Sequence, residues 1–405
     1  MDKLEIQLLI CPKMYYNINM IEREISDNIM QYAKQYPVIT ITGPRQSGKT
    51  TLCKYLFKQK PYVSLENLDE RSFAIQDPRG FLNRFPNGAI LDEIQRTPEL
   101  LSYIQQIVDD KNKEGMFIIT GSHQFELLNS INQTLAGRTA LVKLLPFSMK
   151  EIKPIIKDKN IDEIIFTGFY PRIYDKKLNP AQALAFYVNT YIERDVREIE
   201  NIKNLSIFEM FLKLCAGRTG QIINYSSLGN DCGVSYHTIK NWLSVLEASY
   251  IIKLLKPYYK NFNKRLIKSP KLYFIDTGLC CNLLGISKKE HVEYHPLKGA
   301  FFENLVISEI LKNRYNQGNM DNLYYYRDKQ GNEVDLILDY GYTVEQFEIK
   351  SGQTINNDYF KGINYFKKIN KDMRKSHIIY GGDETYTRSE VAITGWKKLF
   401  DLSIE

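Results

Sequence analysis

The sequence predicts an α/β protein with a parallel sheet in its first part and a second, mixed α/β unit in its last part. Short apolar runs alternate with amphipathic segments between residues 37 and 145, which is typical of a parallel sheet with helices on both faces. From residue 300 onward the predicted order is helix, three strands, helix, strand. A helical and then β-rich segment lies between these two regions.

The chain is long enough for two or three domains. Its 405 residues exceed the size of one ordinary domain, and a hydrophobic share of 43% is enough for several cores. The predicted regions are an N-terminal extension, a parallel-sheet domain, a helical connector, a helix-turn-helix segment and a C-terminal α/β domain, at residues 1–19, 20–150, 151–204, 205–275 and 276–405.

Cysteine usage and hydropathy predict a cytoplasmic protein without a membrane partner. The six cysteines form no C-x-x-C pair, and the adjacent Cys280 and Cys281 are poorly placed for a structural bridge. We therefore expect reduced thiols. No apolar run approaches the length of a membrane span, and the N-terminus is not typical of a signal peptide.

The positive charge is concentrated in one segment. The formal net charge is +7, and residues 205–275 contain ten Lys or Arg against three Asp or Glu, which equals the whole excess. A basic block in an otherwise balanced chain favours a polyanionic partner such as nucleic acid. The alternative is a solvated basic face without a partner.

The segment GPRQSGKT fits the phosphate-loop pattern G-x-x-x-x-G-K-[ST] between an apolar strand and a helix. Glycines at its first and sixth positions let the backbone curl, so that its N–H groups point at phosphate oxygens. The helix that follows adds its dipole. Lys49 is expected to neutralise the β- and γ-phosphates, and Thr50 to offer a hydroxyl to Mg²⁺. The expected cofactors are ATP and Mg²⁺, and the expected loop contacts are Gly43, Pro44, Arg45, Gln46, Ser47, Gly48, Lys49, Thr50 and Thr51.

Two further strands end in groups that ATP hydrolysis needs. In AILDEIQ, Asp92 can hold Mg²⁺ through water, and Glu93 can polarise an attacking water. An N-terminal helix cap is the alternative for this acidic pair. In FIITGS, Ser122 is expected to sense the γ-phosphate, and capping of the next helix is the alternative.

Three arginines are candidates for stabilising the charge of the transition state. Arg138 lies in LAGRT, and Arg194 and Arg197 lie in YIERDVREIE. The sequence does not separate them, and for each arginine a structural ion pair is the favoured interpretation.

The chain resembles a widespread prokaryotic family of AAA-like P-loop ATPases in ITITGPRQSGKTTL, ILDEIQ, FIITGS, AGRT and LPFS. This resemblance implies the additional-strand class, in which one strand lies between the phosphate-loop strand and the acidic strand, with PYVSLEN on the far side. The chain also resembles the uncharacterised C-terminal domain usually fused to that ATPase, in GFYPRIY, YIERDV and SPKLYFIDTGL. The resemblance begins near residue 14. It implies ATP binding and leaves the biological role open.

The basic segment is typical of two helices joined by a turn and followed by strands. Ser226 and Ser235 are the expected N-caps, and Gly233 lies in the turn. The core positions expected in the second helix are Ile239, Trp242, Leu243 and Leu246. The side chains expected on its exposed side are Tyr236, His237, Lys240 and Asn241.

This order is typical of a winged helix-turn-helix, whose second helix enters a DNA major groove. The segment KNFNKRLIKSPK resembles a wing that contacts phosphates, with the expected contacts Lys260, Lys264, Arg265 and Lys268. DNA is the favoured nucleic acid. The alternative is a winged helix used only for internal packing or for binding protein.

Four polar residues near the C-terminus are candidates for a nuclease site. Glu348 and Lys350 in FEIKSG share one face of a strand because side chains alternate with a period of two, and Ile349 is expected to be buried behind them. Asp335 lies thirteen residues before Glu348, and Glu303 lies on the preceding helix. Asp335 and Glu348 are expected to bind Mg²⁺ with support from Glu303, and Lys350 to position water or stabilise developing charge.

The α-β-β-β-α-β order with an acid-x-Lys motif resembles the PD-(D/E)xK nuclease superfamily. The proline of that motif is absent, because the chain reads Glu333-Val334-Asp335, and Glu333 and Asp335 have the same strand parity. The resemblance implies metal-dependent phosphodiester cleavage. A nuclease-like domain without activity is the alternative.

Three functions are therefore compatible with the sequence. The first is an ATP-dependent enzyme that cleaves nucleic acid, which the intact quartet of Glu303, Asp335, Glu348 and Lys350 favours. The second is a nucleotide-regulated binding protein without cleavage, and the third is an ATPase that remodels proteins. The basic segment favours the first two over the third. A homo-oligomer remains open.

Overall fold

A computed structural model of the chain describes residues 20–122, 133–191, 204–259 and 269–401. The arginine candidates Arg194 and Arg197 lie outside the described residues. So do the predicted wing contacts Lys260, Lys264, Arg265 and Lys268.

The first domain is a five-stranded parallel sheet. Its strands are β1 (Val38–Thr42), β2 (Tyr62–Ser64), β3 (Ile90–Asp92), β4 (Phe117–Gly121) and β5 (Thr139–Lys143). They lie in the order β2-β3-β4-β1-β5, and all pairs are parallel. The phosphate-loop strand β1 is therefore separated from the acidic strand β3 by β4, as the additional-strand prediction requires.

Helices cover both faces of this sheet. They are α1 (Ser26–Tyr32), α2 (Lys49–Leu56), α3 (Leu68–Gln76), α4 (Pro78–Asn83) and α5 (Leu100–Lys111). One apolar cluster forms with α3, α4 and α5, and another with α1 and α2. Every residue of β1 and β4 is buried, as expected for parallel strands with helices on both faces.

The first helix is shorter than predicted. The residues from Met20 have helical spacing in the sequence, which predicts a helix from there, but α1 begins at Ser26. Residues before it are held by tertiary contacts instead, because the Arg23 guanidinium donates hydrogen bonds to the carbonyl oxygens of Ser47 and Leu145.

The middle of the chain is helical and then forms a hairpin. Its helices are α6 (Lys153–Ile156), α7 (Ile161–Thr167), α8 (Pro171–Asp175), α9 (Pro180–Tyr191), α10 (Leu205–Ala216), α11 (Tyr225–Cys232) and α12 (Tyr236–Ala248). The hairpin strands are β6 (Ile252–Pro257) and β7 (Lys271–Phe274), which pair antiparallel.

The turn between α11 and α12 agrees with the sequence except at one cap. Ser235 caps α12 by accepting a hydrogen bond from the Thr238 N–H at 3.1 Å, and Gly233 has a φ of 68° in the turn. The predicted cap Ser226 is wrong, because Asn224 accepts the hydrogen bond from the Ser227 N–H at 3.0 Å. The predicted core positions of α12 are all buried.

The C-terminal region has the predicted order of helix, three strands, helix and strand, with additional elements around it. Its elements are α13 (Thr277–Leu283), α14 (Glu290–Glu293), α15 (Lys298–Asn316), β8 (Leu323–Arg327), β9 (Glu333–Asp339), β10 (Val344–Lys350), α16 (Lys361–Ile369), β11 (Met373–Tyr380), β12 (Tyr386–Arg388) and β13 (Val391–Gly395). In the described part of the chain, short 3₁₀ helices lie at Ile94–Arg96, Asn357–Phe360 and Trp396–Asp401.

The second sheet has eight strands in the order β12-β13-β11-β10-β9-β8-β6-β7. The hairpin strand β6 pairs in parallel with β8, through Lys256 opposite Tyr324 and Pro257 opposite Tyr325. The sheet therefore crosses the boundary predicted between residues 275 and 276. A large apolar core likewise contains side chains from the connector, the helix-turn-helix and the C-terminal elements.

The described residues contain neither a membrane-spanning helix nor a disulfide bond. In those ranges no helix has both the length and the apolar character that a membrane span needs. The five cysteines in the same ranges, Cys53, Cys215, Cys232, Cys280 and Cys281, are free and buried.

Candidate functional site

The phosphate loop has the curled backbone that its glycines predict. Gly43 has a φ of 154° and Gly48 a φ of 95°, and a Cβ on Gly43 would lie 2.0 Å from the carbonyl oxygen of Leu144. The Lys49 ammonium is buried and donates to the carbonyl oxygens of Gly43 and Pro44, at 2.9 Å each. The loop therefore holds its lysine against its own backbone.

The loop also contains a buried polar atom that a ligand could satisfy. Ser47 is fully buried, and its Oγ has no hydrogen-bond partner among the described residues. Burial of an unsatisfied hydroxyl is unfavourable. Phosphate oxygens would supply acceptors at this position.

Asp92 lies at the end of β3 and faces the start of α2. Its Oδ2 accepts hydrogen bonds from Thr50 Oγ1 at 2.8 Å and from Tyr62 Oη at 2.7 Å, and its Oδ1 accepts one from Thr120 Oγ1. Thr50 and Asp92 thus place two hard oxygen ligands together, which fits the preference of Mg²⁺. In this site Mg²⁺ would neutralise charge on the β- and γ-phosphates.

Glu93 is held beside Asp92 and toward Ser122. Ser122 Oγ donates to Glu93 Oε2 at 3.1 Å, and the Gln95 amide also donates to that oxygen. Burial raises the pKa of Glu93, but the charge of Lys49 and these hydrogen bonds outweigh it and bring the pKa below its ordinary value. Glu93 is therefore ionised at neutral pH and able to orient a water molecule.

Burial affects the pKa of Lys49 in the opposite sense. Desolvation lowers the pKa of Lys49, and the charges of Glu93 and Asp92 oppose this decrease.

Of the other predicted loop contacts, Arg45 is half-buried, whereas Gln46 and Thr51 are exposed. Gln46 has a φ of 60°, which contributes to the curl of the loop.

The sequence did not single out Arg23, although it contacts the loop directly. Its guanidinium lies 2.8 Å from the carbonyl oxygen of Ser47 and 2.7 Å from that of Leu145, and its Nε lies 2.9 Å from Glu151 Oε1. No local motif marks this arginine, because the hydrogen-bond partners of its side chain are at least 24 positions away.

Arg138 is not brought to the phosphate loop. It immediately precedes β5, and its carbonyl oxygen accepts a hydrogen bond from Val38 N–H at the start of β1, whereas the loop follows the end of β1. Its side chain makes a two-pronged ion pair with Asp109, at 2.6 and 2.8 Å. Arg138 therefore forms a structural ion pair, and the expected contact of Arg138 with a nucleotide bound to the same chain is wrong.

The predicted acid-x-Lys residues meet on adjacent strands of the second sheet. Lys350 Nζ lies 2.6 Å from Glu348 Oε1 and 2.9 Å from Asp335 Oδ2, which also accepts the Ile349 N–H at 2.8 Å. Ile349 is buried, as the alternation of β10 predicts. These residues form one side of a carboxylate cluster.

Lys271, at the start of β7, joins the other side of this cluster. Its Nζ lies 3.1 Å from Glu303 Oε1 and 3.9 Å from Asp335 Oδ1, and it also forms an ion pair with Glu333. Glu303 accepts a further hydrogen bond from the Tyr273 hydroxyl. Both Glu333 and Asp335 therefore face the cluster, and Lys271 and Tyr273 are members that the sequence did not single out.

The pKa shifts in the cluster reflect burial and crowded negative charge. Burial raises the pKa of Glu348, and the charge of Asp335 adds to this, which brings it to about 8 despite the Lys350 ammonium. Burial likewise raises the pKa of Glu303. Burial would also raise the pKa of Asp335, but the ammonium groups of Lys350 and Lys271 hold it below its ordinary value.

This cluster does not present an open metal site. Across residues 20–122, 133–191, 204–259 and 269–401, no three His, Cys, Asp or Glu side chains are placed to hold a metal ion together. Lys271 and Lys350 occupy oxygens of Glu303, Asp335 and Glu348. In this arrangement the acids are paired with ammonium groups, and the binding of Mg²⁺ by Glu303, Asp335 and Glu348 stays a prediction.

The exposed face of α12 is as predicted. The side chains of Tyr236, His237, Lys240 and Asn241 are exposed. Tyr236 and Lys240 line an open groove of about 560 Å³ with Asn224, Tyr225 and Pro270. The rings of Tyr225 and Tyr236 lie 5.4 Å apart.

Several basic residues of this segment form ion pairs with acidic residues of the same chain. Arg218 pairs with Asp231, Lys253 with Asp321, and Lys271 with the carboxylate cluster. The excess of basic residues therefore overstates the charge available to a polyanion.

Comparisons with known proteins divide the chain into three matched regions. Residues 35–153 match the AAA domain family. Residues 158–290 and 298–399 match two families described as Domain of unknown function (DUF8612) and Domain of unknown function (DUF4143).

Relatives over most of the chain are themselves uncharacterised. An uncharacterized protein of Mycobacterium tuberculosis is 26% identical over 377 residues, which cover 92% of this chain and 82% of that protein. An uncharacterized protein of Haemophilus influenzae is 24% identical over 329 residues, which cover 73% of this chain and 80% of that protein.

Similar solved structures are remote. The Walker-type ATPase of Pyrococcus abyssi has a TM-score of 0.44 and 15% identity, and the match covers 65% of this chain and 96% of that one. AMPPCP-bound DnaA from Aquifex aeolicus has a TM-score of 0.29 and 15% identity, with 55% and 85% covered. The matched AAA domain and the geometry of the phosphate loop define the first domain as an AAA-like P-loop ATPase domain.

Proposed function

We propose that ATP binding and hydrolysis in the first domain control a nucleic-acid-binding module in the middle of the chain. The observation that carries this proposal is a contact between the two regions. Tyr250, which follows α12, has its hydroxyl 2.7 Å from Thr42 Oγ1, and Thr42 is the last residue before the phosphate loop. Nucleotide-dependent movement of the loop would reach α12 through this contact.

The ATPase residues have separate roles in this proposal. Phosphate oxygens would replace the carbonyl oxygens that Lys49 contacts, and Thr50 and Asp92 would hold Mg²⁺. Glu93, ionised and oriented by Ser122, would position the attacking water. Each role uses a side chain that is already directed toward the loop or the acidic strand.

A second connection links the phosphate loop to the C-terminal region. Arg23 bonds to the carbonyl oxygen of Ser47, and the next residue, Glu24, accepts a hydrogen bond from Asn316 Nδ2 at 3.3 Å. Asn316 ends α15, the helix that carries Glu303 thirteen residues earlier. At 1.5 Å per residue the helix spans roughly 20 Å between these two positions.

The proposed nucleic-acid contacts lie on α12 and in the groove beside it. A short helix, a turn, a second helix and a hairpin follow the order of a winged helix-turn-helix, with α12 as the recognition helix. Tyr236 offers an aromatic surface, Lys240 a cation for phosphate, and His237 and Asn241 hydrogen-bonding groups.

The C-terminal region is proposed to be a nuclease-like domain that does not cleave. The observation behind this choice is that the ammonium groups of Lys271 and Lys350 form ion pairs with the acids of the cluster. Magnesium-dependent cleavage is the second candidate. It is favoured by Glu348 Oε2, which is buried and has no hydrogen-bond partner in the described part of the chain.

One experiment separates these functions. Purified protein is incubated with ATP, with Mg²⁺ or Mn²⁺, and with plasmid, single-stranded DNA or RNA, and hydrolysis, binding and cleavage are measured in parallel. We expect ATP hydrolysis that Lys49→Ala abolishes, salt-dependent DNA binding, and no cleavage above the Asp335→Ala background. Cleavage that Lys350→Ala removes would establish the second candidate. Absent or salt-insensitive DNA binding would refute the nucleic-acid partner.

A further inference from the structure

We propose that Lys271 is a tethered cation that occupies the position of a divalent metal in the carboxylate cluster and closes the cluster to Mg²⁺. This inference rests on the proposed function, because it explains why a nuclease-like domain would not cleave. It assigns a role to a residue of the β6–β7 hairpin, outside the helix-and-strand order that predicted the nuclease-like site.

The position of the ammonium supports this role. Lys271 is only 3% exposed, and its Nζ is directed at carboxylates from two elements, Glu303 on α15 and both Glu333 and Asp335 on β9. A divalent cation in this place would need the same oxygens, at distances of about 2.0 to 2.6 Å. The ammonium and a metal ion therefore compete for one location.

The charges of the cluster are nearly balanced when Lys271 is present. Four carboxyl groups face three cations, and they belong to Glu303, Glu333, Asp335 and Glu348. The cations are Lys271, Lys350 and the Arg327 guanidinium, which lies 3.1 Å from Glu333 Oε2. Removal of the Lys271 charge would leave the buried acids with only two cations. In such a variant, a bound divalent ion would compensate the negative charge of the acids. In the wild type, the Lys271 ammonium compensates most of that charge.

A further oxygen is available to complete such a site. Glu348 is 8% exposed, and its Oε2 has no hydrogen-bond partner among the described residues, while its Oε1 pairs with Lys350. The cluster therefore retains one unsatisfied ligand atom beside the acids that Lys271 neutralises.

The test is a change of Lys271 to a neutral side chain of similar length. Mn²⁺ binding to the nucleotide-free full chain is measured by electron paramagnetic resonance of free Mn²⁺ and by calorimetry. We expect the wild type to show no Mn²⁺ site that depends on Asp335. Lys271→Met is expected to gain one Mn²⁺ per chain, at least tenfold tighter than any wild-type binding, and Lys271→Met/Asp335→Asn is expected to lose it.

A matched control removes another buried lysine. Lys312 is 1% exposed and, among the described residues, forms an ion pair with one carboxylate, that of Glu309 on the same helix as Glu303. Lys312→Met is expected to gain no Mn²⁺. If Lys271→Met does not fold, Lys271→Met/Glu333→Gln removes one carboxylate together with the cation and keeps three acids for the metal.

Two results would overturn the inference. One is a wild-type protein that binds one Mn²⁺ per chain and loses it in Asp335→Asn. The other is a folded Lys271→Met protein that gains no Mn²⁺ site relative to the wild type. Neither result depends on ATP hydrolysis or DNA binding, so failure of this inference is distinguishable from failure of the proposed switch.

Discussion

The contact between Tyr250 and Thr42 leads to the sharpest prediction for the proposed switch. Tyr250→Phe removes one hydroxyl and leaves the ring, which is buried, in place. Burial raises the pKa of Tyr250, so the hydroxyl stays protonated and able to donate. The variant is therefore expected to keep its fold and to lose the connection between the phosphate loop and α12.

The size of this effect follows from the hydrogen bond that is lost. Thr42 Oγ1 is 2.7 Å from the Tyr250 hydroxyl, and it also has the carbonyl oxygen of Val142 at 3.4 Å as an acceptor. Thr42 therefore keeps a partner in the variant. A hydrogen bond of this kind contributes about 0.5 to 1.5 kcal/mol. This corresponds to a decrease of about two- to tenfold in the effect of nucleotide on DNA affinity.

The assay is fluorescence anisotropy of labelled DNA with and without a slowly hydrolysed ATP analogue. We expect the ratio of the two affinities to decrease by about two- to tenfold in Tyr250→Phe, while the affinity for the analogue and the DNA affinity without nucleotide stay unchanged. Tyr174→Phe is the matched control, because its hydroxyl bonds to the carbonyl oxygen of Gly168 within the connector. An unchanged ratio in Tyr250→Phe would refute this route of coupling.

Three further predictions concern single groups. Glu93→Gln keeps ATP binding but lowers ATP hydrolysis by about 10² to 10⁴-fold, measured as phosphate release, because the group that positions water loses its charge. Lys240→Ala weakens binding of unrelated DNA sequences equally and reduces the slope of log affinity against log salt by about 1, because one phosphate contact is lost. Glu348→Gln raises the melting temperature relative to wild type increasingly between pH 5 and pH 8.5, measured by calorimetry. The pKa of Glu348 is raised from 4.5 to about 8 on folding, so the wild type has this group's full stability below pH 4.5 and loses it as the pH rises through about 8.

The magnitude for Glu348 is an upper bound. One pKa unit corresponds to about 1.4 kcal/mol, so the shift corresponds to at most about 5 kcal/mol, or several degrees in melting temperature. A melting-temperature difference that does not change with pH would contradict the raised pKa.

The other two predictions also have contrary outcomes. Normal hydrolysis by Glu93→Gln would exclude it as the group that positions water. Lys213, exposed on α10 in the same basic segment, is the control for Lys240. An equal loss of affinity in Lys213→Ala would mean that the whole basic face contributes rather than the recognition helix.

Local patterns in the sequence determined much of the ATPase domain and the order of elements in the C-terminal region. A phosphate loop requires glycines and a lysine at fixed spacing, so Lys49 and Thr50 could be located from eight consecutive residues. Strand alternation likewise placed Glu348 and Lys350 on one face with Ile349 behind them. These features depend only on residues that are close together in the sequence, so the sequence alone is enough to predict them.

Contacts between distant segments were decided only by the tertiary structure. Arg138 lies in a motif that made it a candidate for stabilising the transition state, but parallel pairing of β5 with β1 places it at the end of the sheet away from the loop. Arg23, Tyr250 and Lys271 carry no local signal, because their partners lie 24, 208 and 32 positions away. The acid-x-Lys motif therefore located the carboxylate cluster. Assembly of the second sheet brings Lys271 of the hairpin into this cluster. The proposal that the cluster excludes Mg²⁺ therefore depends on the tertiary structure.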